Sequence, residues 1–343
     1  MKTNRLILVL CLVLFLGFIL VAPQQKIPHR ENPEELFESC TSLLVGRLAS
    51  VDGSTMTSHS CDSGTDRTWI NIVPHKKHQP GDICPLYFQS KRTKGPDDKD
   101  LIPMGEIPQV PETYGFINTA YPVMNEYQLA IGETTLGGRR ELRSNEGVID
   151  APELYRIVLE RAKTAREAIR VADQLTKSYG YNDWGECFTF ADPEEVWHFE
   201  IFGPGKGKKG AVWVAQRIPD DEVGVSANAS RIRQIDLENE DYFMASENIH
   251  SLAVEMGWWD PSSGRPFEVC YVYAPSNRTK MSSRRREWRA LSLLAPSLDL
   301  DPNSENFPFS VKPDKKVSVA DILSIFRDAY DGTEFDMTNG LNS

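Results

Sequence analysis

Basic charge is in short supply: 38 lysines and arginines stand against 49 aspartates and glutamates in 343 residues, a net charge of -11. A nonspecific nucleic-acid binder needs a basic surface, so no nucleic-acid partner is expected. Cysteine is sparse as well; six are too few for a disulfide-built scaffold. Internal repeats and low-complexity tracts are missing, and only one long apolar run occurs, at residues 6–21. The remainder is ordinary globular composition, 40% hydrophobic and 25% charged. That excludes disorder over most of the chain and leaves room for two domains, or one large one with a sizeable core.

The apolar run follows Lys2 and Arg5, the layout of a secretory signal. Its sixteen residues fall just short of the roughly 17–25 that span a bilayer. Residues 1–22 therefore read as a signal peptide, with an uncleaved membrane anchor as the alternative. Residues 23–39 are polar, carry Pro23, Pro28 and Pro33, and read as a leader. Export places the chain in a secreted or lumenal, oxidising compartment, where cysteines can pair. Cys11 leaves with the signal. Cys40, Cys61, Cys84, Cys187 and Cys270 remain, an odd number, and a reactive free thiol explains the odd one. Among the other four, Cys61 with Cys84 and Cys187 with Cys270 is one possible pairing.

Residues 41–60 predict strand, turn and strand around Asp52-Gly53. Residues 74–112 are rich in proline and glycine and read as loop. Two short strands are expected around Asn125-Glu126. Helical spacing is clearest over 152–178, where Leu154, Ile157, Val158 and Ala162 recur. Thr164 with Glu167 predicts a second helix start inside that stretch, and Gly180 suits its end. Strand-like segments follow at 187–191, 196–202 and 211–216, then helices near 283–295 and 319–330. Strands, helices and strands again predict an α+β layered domain.

Several motifs have plain readings. GKGKKG at 205–210 lies between two strand-like segments, not between strand and helix, so it reads as a hairpin turn and not a dinucleotide loop. His75 and His78 sit in a Pro-flanked basic loop without the three or four convergent ligands of a zinc site. Asn228-Ala229-Ser230 and Asn277-Arg278-Thr279 match the glycosylation pattern; the second is the plausible acceptor.

Cys40 follows the polar leader and opens a strand-like run. If the chain were cut before it, one residue would carry a thiol and a free α-amine. That amine has a pKa of about 7.7–8.0, against about 10.4 for lysine, so it is partly neutral and can serve as the thiol's own base. The plain alternative is a buried structural cysteine.

The segment CTSLLVGRLASVDGSTMTSHSCD (40–62) resembles the opening of the C69 dipeptidases, N-terminal-nucleophile hydrolases related to penicillin V acylase and bile salt hydrolase. NEYQLAIGETT (125–135), WVAQRIPDDEVGVSANASRIRQIDL (213–237), RREWRALSLLAPSLDLDP (285–302) and SVKPDKKVSV (310–319) agree with it in order. The resemblance implies an αββα sandwich over residues 40–343 and a cysteine-type dipeptidase acting through an acyl-enzyme. It implies Cys40 as nucleophile, Asp62 as the carboxylate holding the amine, and Asn125 and Asn228 as oxyanion-stabilising amides. Arg286, with Arg289 as the alternative, fits the arginine of the C-terminal helix start. An oxyanion-hole Asn228 would be buried and not glycosylated.

Two departures stand out. Relatives carry arginine three residues before the aspartate; here that place holds His59, which could bond the thiol or amine, while Arg67 could supply the cation. Family chains also continue well past the FDMT at 335–338, so the domain reads as short at its C-terminus. No metal or organic cofactor is implied. The expected partner is a small peptide substrate, with no membrane partner unless the N-terminal segment is retained; a homo-oligomer stays open. The alternatives are an N-acyl amide hydrolase using the same site and a non-catalytic, unprocessed family member.

Overall fold

The structure, a computed structural model, describes residues 39–62, 69–88, 102–119 and 121–338. The expected signal, the leader up to residue 38, and Arg67 lie outside the described residues. Among the described residues no helix is long and apolar enough to cross a membrane.

Strand β1 (Ser39–Val45) is followed by two short strands, β2 (Met56–Thr57) and β3 (Ser60–Asp62), that both fold back on it. Gly53 takes φ 82° within the connection 46–55, so Asp52-Gly53 lies in a ten-residue loop and not in the tight hairpin turn expected. Next come β4 (Asn71–Val73), β5 (Lys76–Lys77), β6 (Ile83–Phe88), β7 (Ile102–Pro108) and β8 (Glu112–Thr113). β6 and β7 form an antiparallel pair, so the stretch expected to be loop contains a hairpin. Its prolines 85, 103 and 108 are tolerated because both strands of a two-stranded sheet are edges, where a missing N–H need not break a ladder.

Three more strands, β9 (Phe116–Asn118), β10 (Met124–Asn125) and β11 (Ala130–Thr135), precede helices α1 (Ala151–Arg161) and α2 (Ala165–Tyr179). Asp150 caps α1 by accepting the Glu153 N–H. Thr164 caps α2 by accepting the Glu167 N–H at 3.2 Å, and the Glu167 carboxylate reaches back to Lys163 N. Gly180, at φ 78°, ends it. The buried face of α2 carries Ala165, Ala168, Ile169, Ala172 and Leu175; each large apolar side chain so buried contributes about 1.5–3 kcal/mol.

The long strands β12 (Gly185–Ala191), β13 (Val196–Phe202) and β14 (Val212–Ile218) follow, with the 205–210 glycine–lysine stretch as the turn between the last two. β15 (Val223–Ser226), β16 (Phe243–Ala245), α3 (Ser251–Glu255), α4 (Val269–Tyr273), α5 (Met281–Leu294), β17 (Ser310–Val311) and α6 (Val319–Phe326) complete the order.

Among the described residues there is an eight-stranded antiparallel sheet, β16-β14-β13-β12-β11-β10-β9-β4, and a five-stranded one, β17-β15-β1-β2 with β3 also on β1. Their inner faces meet through small polar side chains. Thr57 and Thr189 hydroxyls pair at 2.6 Å, Thr134 and Ser226 at 2.6 Å, and Ser42 Oγ donates to Glu133 O. Gly132 permits the approach: a Cβ there would stand 2.5 Å from Ser58 O. Alternate residues of β12 face outward, where Phe188 packs on Tyr155 of α1 at 4.6 Å. On the far side Trp288, Leu291 and Ile322 of α5 and α6 bury Leu43, Val45, Val223 and Val225 of the smaller sheet. Helices therefore cover the outer face of each sheet. The architecture is mixed helix and antiparallel sheet, consistent with a sandwich.

Candidate active site

Cys40 lies in β1, buried, and its main chain is held at both ends. Its N–H donates to Asn228 Oδ1 at 2.7 Å, and its carbonyl accepts from Arg286 Nη1 on α5. The same guanidinium donates to Thr41 Oγ1 at 2.9 Å, to Asn228 Oδ1 at 3.0 Å and to Ala227 O at 3.2 Å. Burial lowers the Arg286 pKa, opposed by Tyr330, Cys40 and Asp62, and the group stays charged.

Asn228 follows β15 with its backbone in the left-handed region at φ 57°, a conformation asparagine tolerates better than most residues. One of its amide hydrogens goes to Thr135 O at 2.7 Å. Among the described residues the other has no acceptor. Asp62 closes β3 opposite Ser39, one residue before the cysteine, and is exposed.

The thiol has an anionic environment. Cys61 stands directly across the β1–β3 ladder from Cys40. A hydrogen bond with the Cys61 thiol, then burial, then the charge of Glu133, hold the Cys40 thiol well above its ordinary pKa. His59 Nε2 lies 3.2 Å from the Glu133 carboxylate, with the ring edge-on to Tyr121. Glu133 is fully buried, which by itself would raise its pKa, but His59, Glu186 and Thr135 hold it down at about 2.

Cys40, Asn228 and Arg286 come together, with Asp62 on the adjoining strand β3 and His59 just before it. Arg289 points elsewhere, pairing with Asp328 at 2.7 Å. Asn125 needs correction as an oxyanion amide. Its Nδ2 donates to Leu159 O and Ala162 O at the end of α1, and its Oδ1 accepts from Tyr127 N and Leu129 N. Both hydrogens are spent, so it is a turn residue that ties the β10–β11 connection to α1. Asn277 is corrected too: it is buried, with Nδ2 bonded to Leu136 O and Gly137 O, so no glycan attaches in the folded state.

The tentative disulfides do not form. Cys61 faces Cys40; Cys84 lies beside Arg156; Cys187 contacts His198 and Ser226. Sequence reasoning passed over Thr41, Glu133 and Cys61. Glu133 sits inside the 125–135 block and Cys61 next to Asp62, so both stood within motifs already singled out.

The peptidase family C69 model matches residues 39–343. The chain is 28% identical over 310 residues to a protein of Latilactobacillus sakei named "Probable dipeptidase", covering 87% of this chain and 62% of that one. It is 29% identical over 316 residues to a "Probable dipeptidase" of Salmonella dublin, 87% and 68% covered, and 26% identical over 328 residues to the "Dipeptidase" of Bifidobacterium longum, 87% and 60% covered. The chain thus spans between 60% and 68% of the length of these relatives. With a buried cysteine clamped at its main-chain nitrogen and a match that begins one residue before it, the chain belongs to peptidase family C69.

Proposed function

We propose that this chain is a dipeptidase of the N-terminal-nucleophile type, an αββα sandwich in which Cys40 attacks the peptide carbonyl after cleavage of the 39–40 bond. One observation carries the reading: the protein grips the nitrogen and carbonyl of Cys40 through Asn228 and Arg286. Such a grip serves a residue whose own nitrogen does chemistry. Once free, the amine takes the thiol proton, with Asp62 beside it in the ladder to hold the ammonium form. The sulfur adds to the substrate carbonyl. The uncommitted hydrogen of Asn228 Nδ2 donates to the resulting oxyanion. The amine then protonates the departing amino group, and water releases the acyl group from sulfur. Arg286 holds the main chain and Asn228 in register throughout. The relatives' names support a small peptide as the substrate class.

A second reading has one contact behind it. His59, backed by Glu133, has a ring nitrogen within 4.8 Å of the Cys40 sulfur; moved into contact it would serve as the base with no need for cleavage. Terminal sequencing of active protein separates the two. Cys40 at the N-terminus is the expected result; turnover by a chain that retains the 39–40 bond refutes the first reading. Dipeptides tested beside N-acyl amino acids set the substrate class. Cys40→Ala abolishes hydrolysis, with a melting temperature close to that of the parent; retained turnover overturns the assignment.

A further inference from the structure

The ladder that sets Cys61 opposite Cys40 also brings in a third donor. His59 precedes Cys61 by two residues, so the extended chain offers both side chains to one face. One ligand atom from each of Cys40, His59 and Cys61 lies within 4.8 Å of the others. In tetrahedral zinc coordination, Zn–S and Zn–N distances of about 2.3 and 2.0–2.1 Å put ligand atoms about 3.5–3.8 Å apart. Side-chain shifts of about an ångström close that gap.

The surroundings suit a cation. The Glu133 carboxylate stands 3.2 Å from His59 Nε2, which leaves Nδ1 as the nitrogen for a metal. A carboxylate behind a ligating histidine orients the ring and strengthens it as a donor. Two sulfurs and an imidazole select a thiophilic ion over calcium or magnesium. Cys61 is exposed, which gives an entry path.

We propose that Cys40, His59 and Cys61 form a binding site for a thiophilic divalent cation such as Zn²⁺, with Glu133 as the carboxylate behind the histidine, and that occupancy silences Cys40. Both thiols lose their protons to solvent as the metal–sulfur bonds form, nothing is oxidised or reduced, and water takes the fourth position. The bound sulfur lone pair is then withheld from a carbonyl. The binding claim stands on its own; the silencing claim rests on Cys40 being the nucleophile.

The test is titration of the reduced full-length protein with Co²⁺, followed by displacement with Zn²⁺. The expected result is one Co²⁺ per chain, with tetrahedral visible bands and near-ultraviolet sulfur-to-cobalt absorption from two thiolates. Cys61→Ala halves that absorption and weakens binding at least tenfold, and Glu133→Gln weakens it by about ten- to a hundredfold. In the hydrolysis assay, Cys61→Ala, measured against its own metal-free rate, becomes at least tenfold less sensitive to Zn²⁺ than the parent. A parent protein without the thiolate absorption, or a Cys61→Ala variant that binds like the parent, overturns the site. Protein that begins at Cys40, gives the cobalt signature and yet hydrolyses no dipeptide overturns the proposed function and leaves the site intact.

Discussion

Asn228 Oδ1 accepts the main-chain N–H of Cys40 at 2.7 Å while its own backbone occupies the left-handed region. The strained residue is the one that touches the reactive one, and the strain persists because Arg286 and Thr135 fix the same side chain from two further directions. Asn228→Ala is expected to lower kcat by about 10²–10³-fold, the cost of losing one oxyanion donor. It also destabilises by about 1–2 kcal/mol, because alanine has no side-chain bond to offset that backbone. Steady-state kinetics beside urea unfolding checks both; an unchanged kcat removes Asn228 from the reaction.

Asn125→Ala has the opposite signature. Removing it orphans three buried backbone groups, Leu159 O, Ala162 O and Leu129 N, so stability falls by about 1–3 kcal/mol for each group left unsatisfied. Turnover per folded molecule is unchanged. A kcat loss at full folding would restore the oxyanion role that the hydrogen bonds deny it.

How much of this the sequence could show depends on range. Helices α1 and α2 were legible because their signals are local: an apolar stripe at helical spacing, with Thr164 and Gly180 at the ends of the second. Strands β12 to β14 were legible as apolar runs because both their faces are buried. The β6–β7 hairpin was hidden by its prolines, whose meaning changes once both strands are seen to be edges. Asn125 misled because residue type cannot say whether an amide's hydrogens are already committed. Cys61 and Glu133 were invisible as partners because they meet Cys40 and His59 only through pairing and stacking.

Acid sensitivity follows from Glu133. Its pKa in the folded protein lies below the ordinary 4.5, at about 2. A carboxylate depressed by folding adds stability that is complete above its unfolded value and lost as pH falls through the folded one. Unfolding midpoints in urea should therefore drop as pH goes from about 4.5 toward 2, and Glu133→Gln should flatten that limb. A parent protein whose stability rises on acidification over this range contradicts the ionised Glu133.

Glu287, one residue after Arg286, is shared by two buried guanidiniums, Arg231 at 2.5 Å and Arg278 at 3.3 Å. Glu287→Ala leaves both charges uncompensated and should cost about 3–5 kcal/mol. Calorimetry reads the loss. A melting temperature equal to the parent's would mean that the two arginines find other counterions.

The hydroxyl pairs between the sheets, Thr57 with Thr189 and Thr134 with Ser226, have a consequence for alignment. A greasy seam tolerates sliding, since one methyl contact replaces another at little cost. Directional bonds act like dowels: they accept a single offset between the layers. That offset decides where the first strand, and the sulfur it carries, sits above the acidic floor on the second.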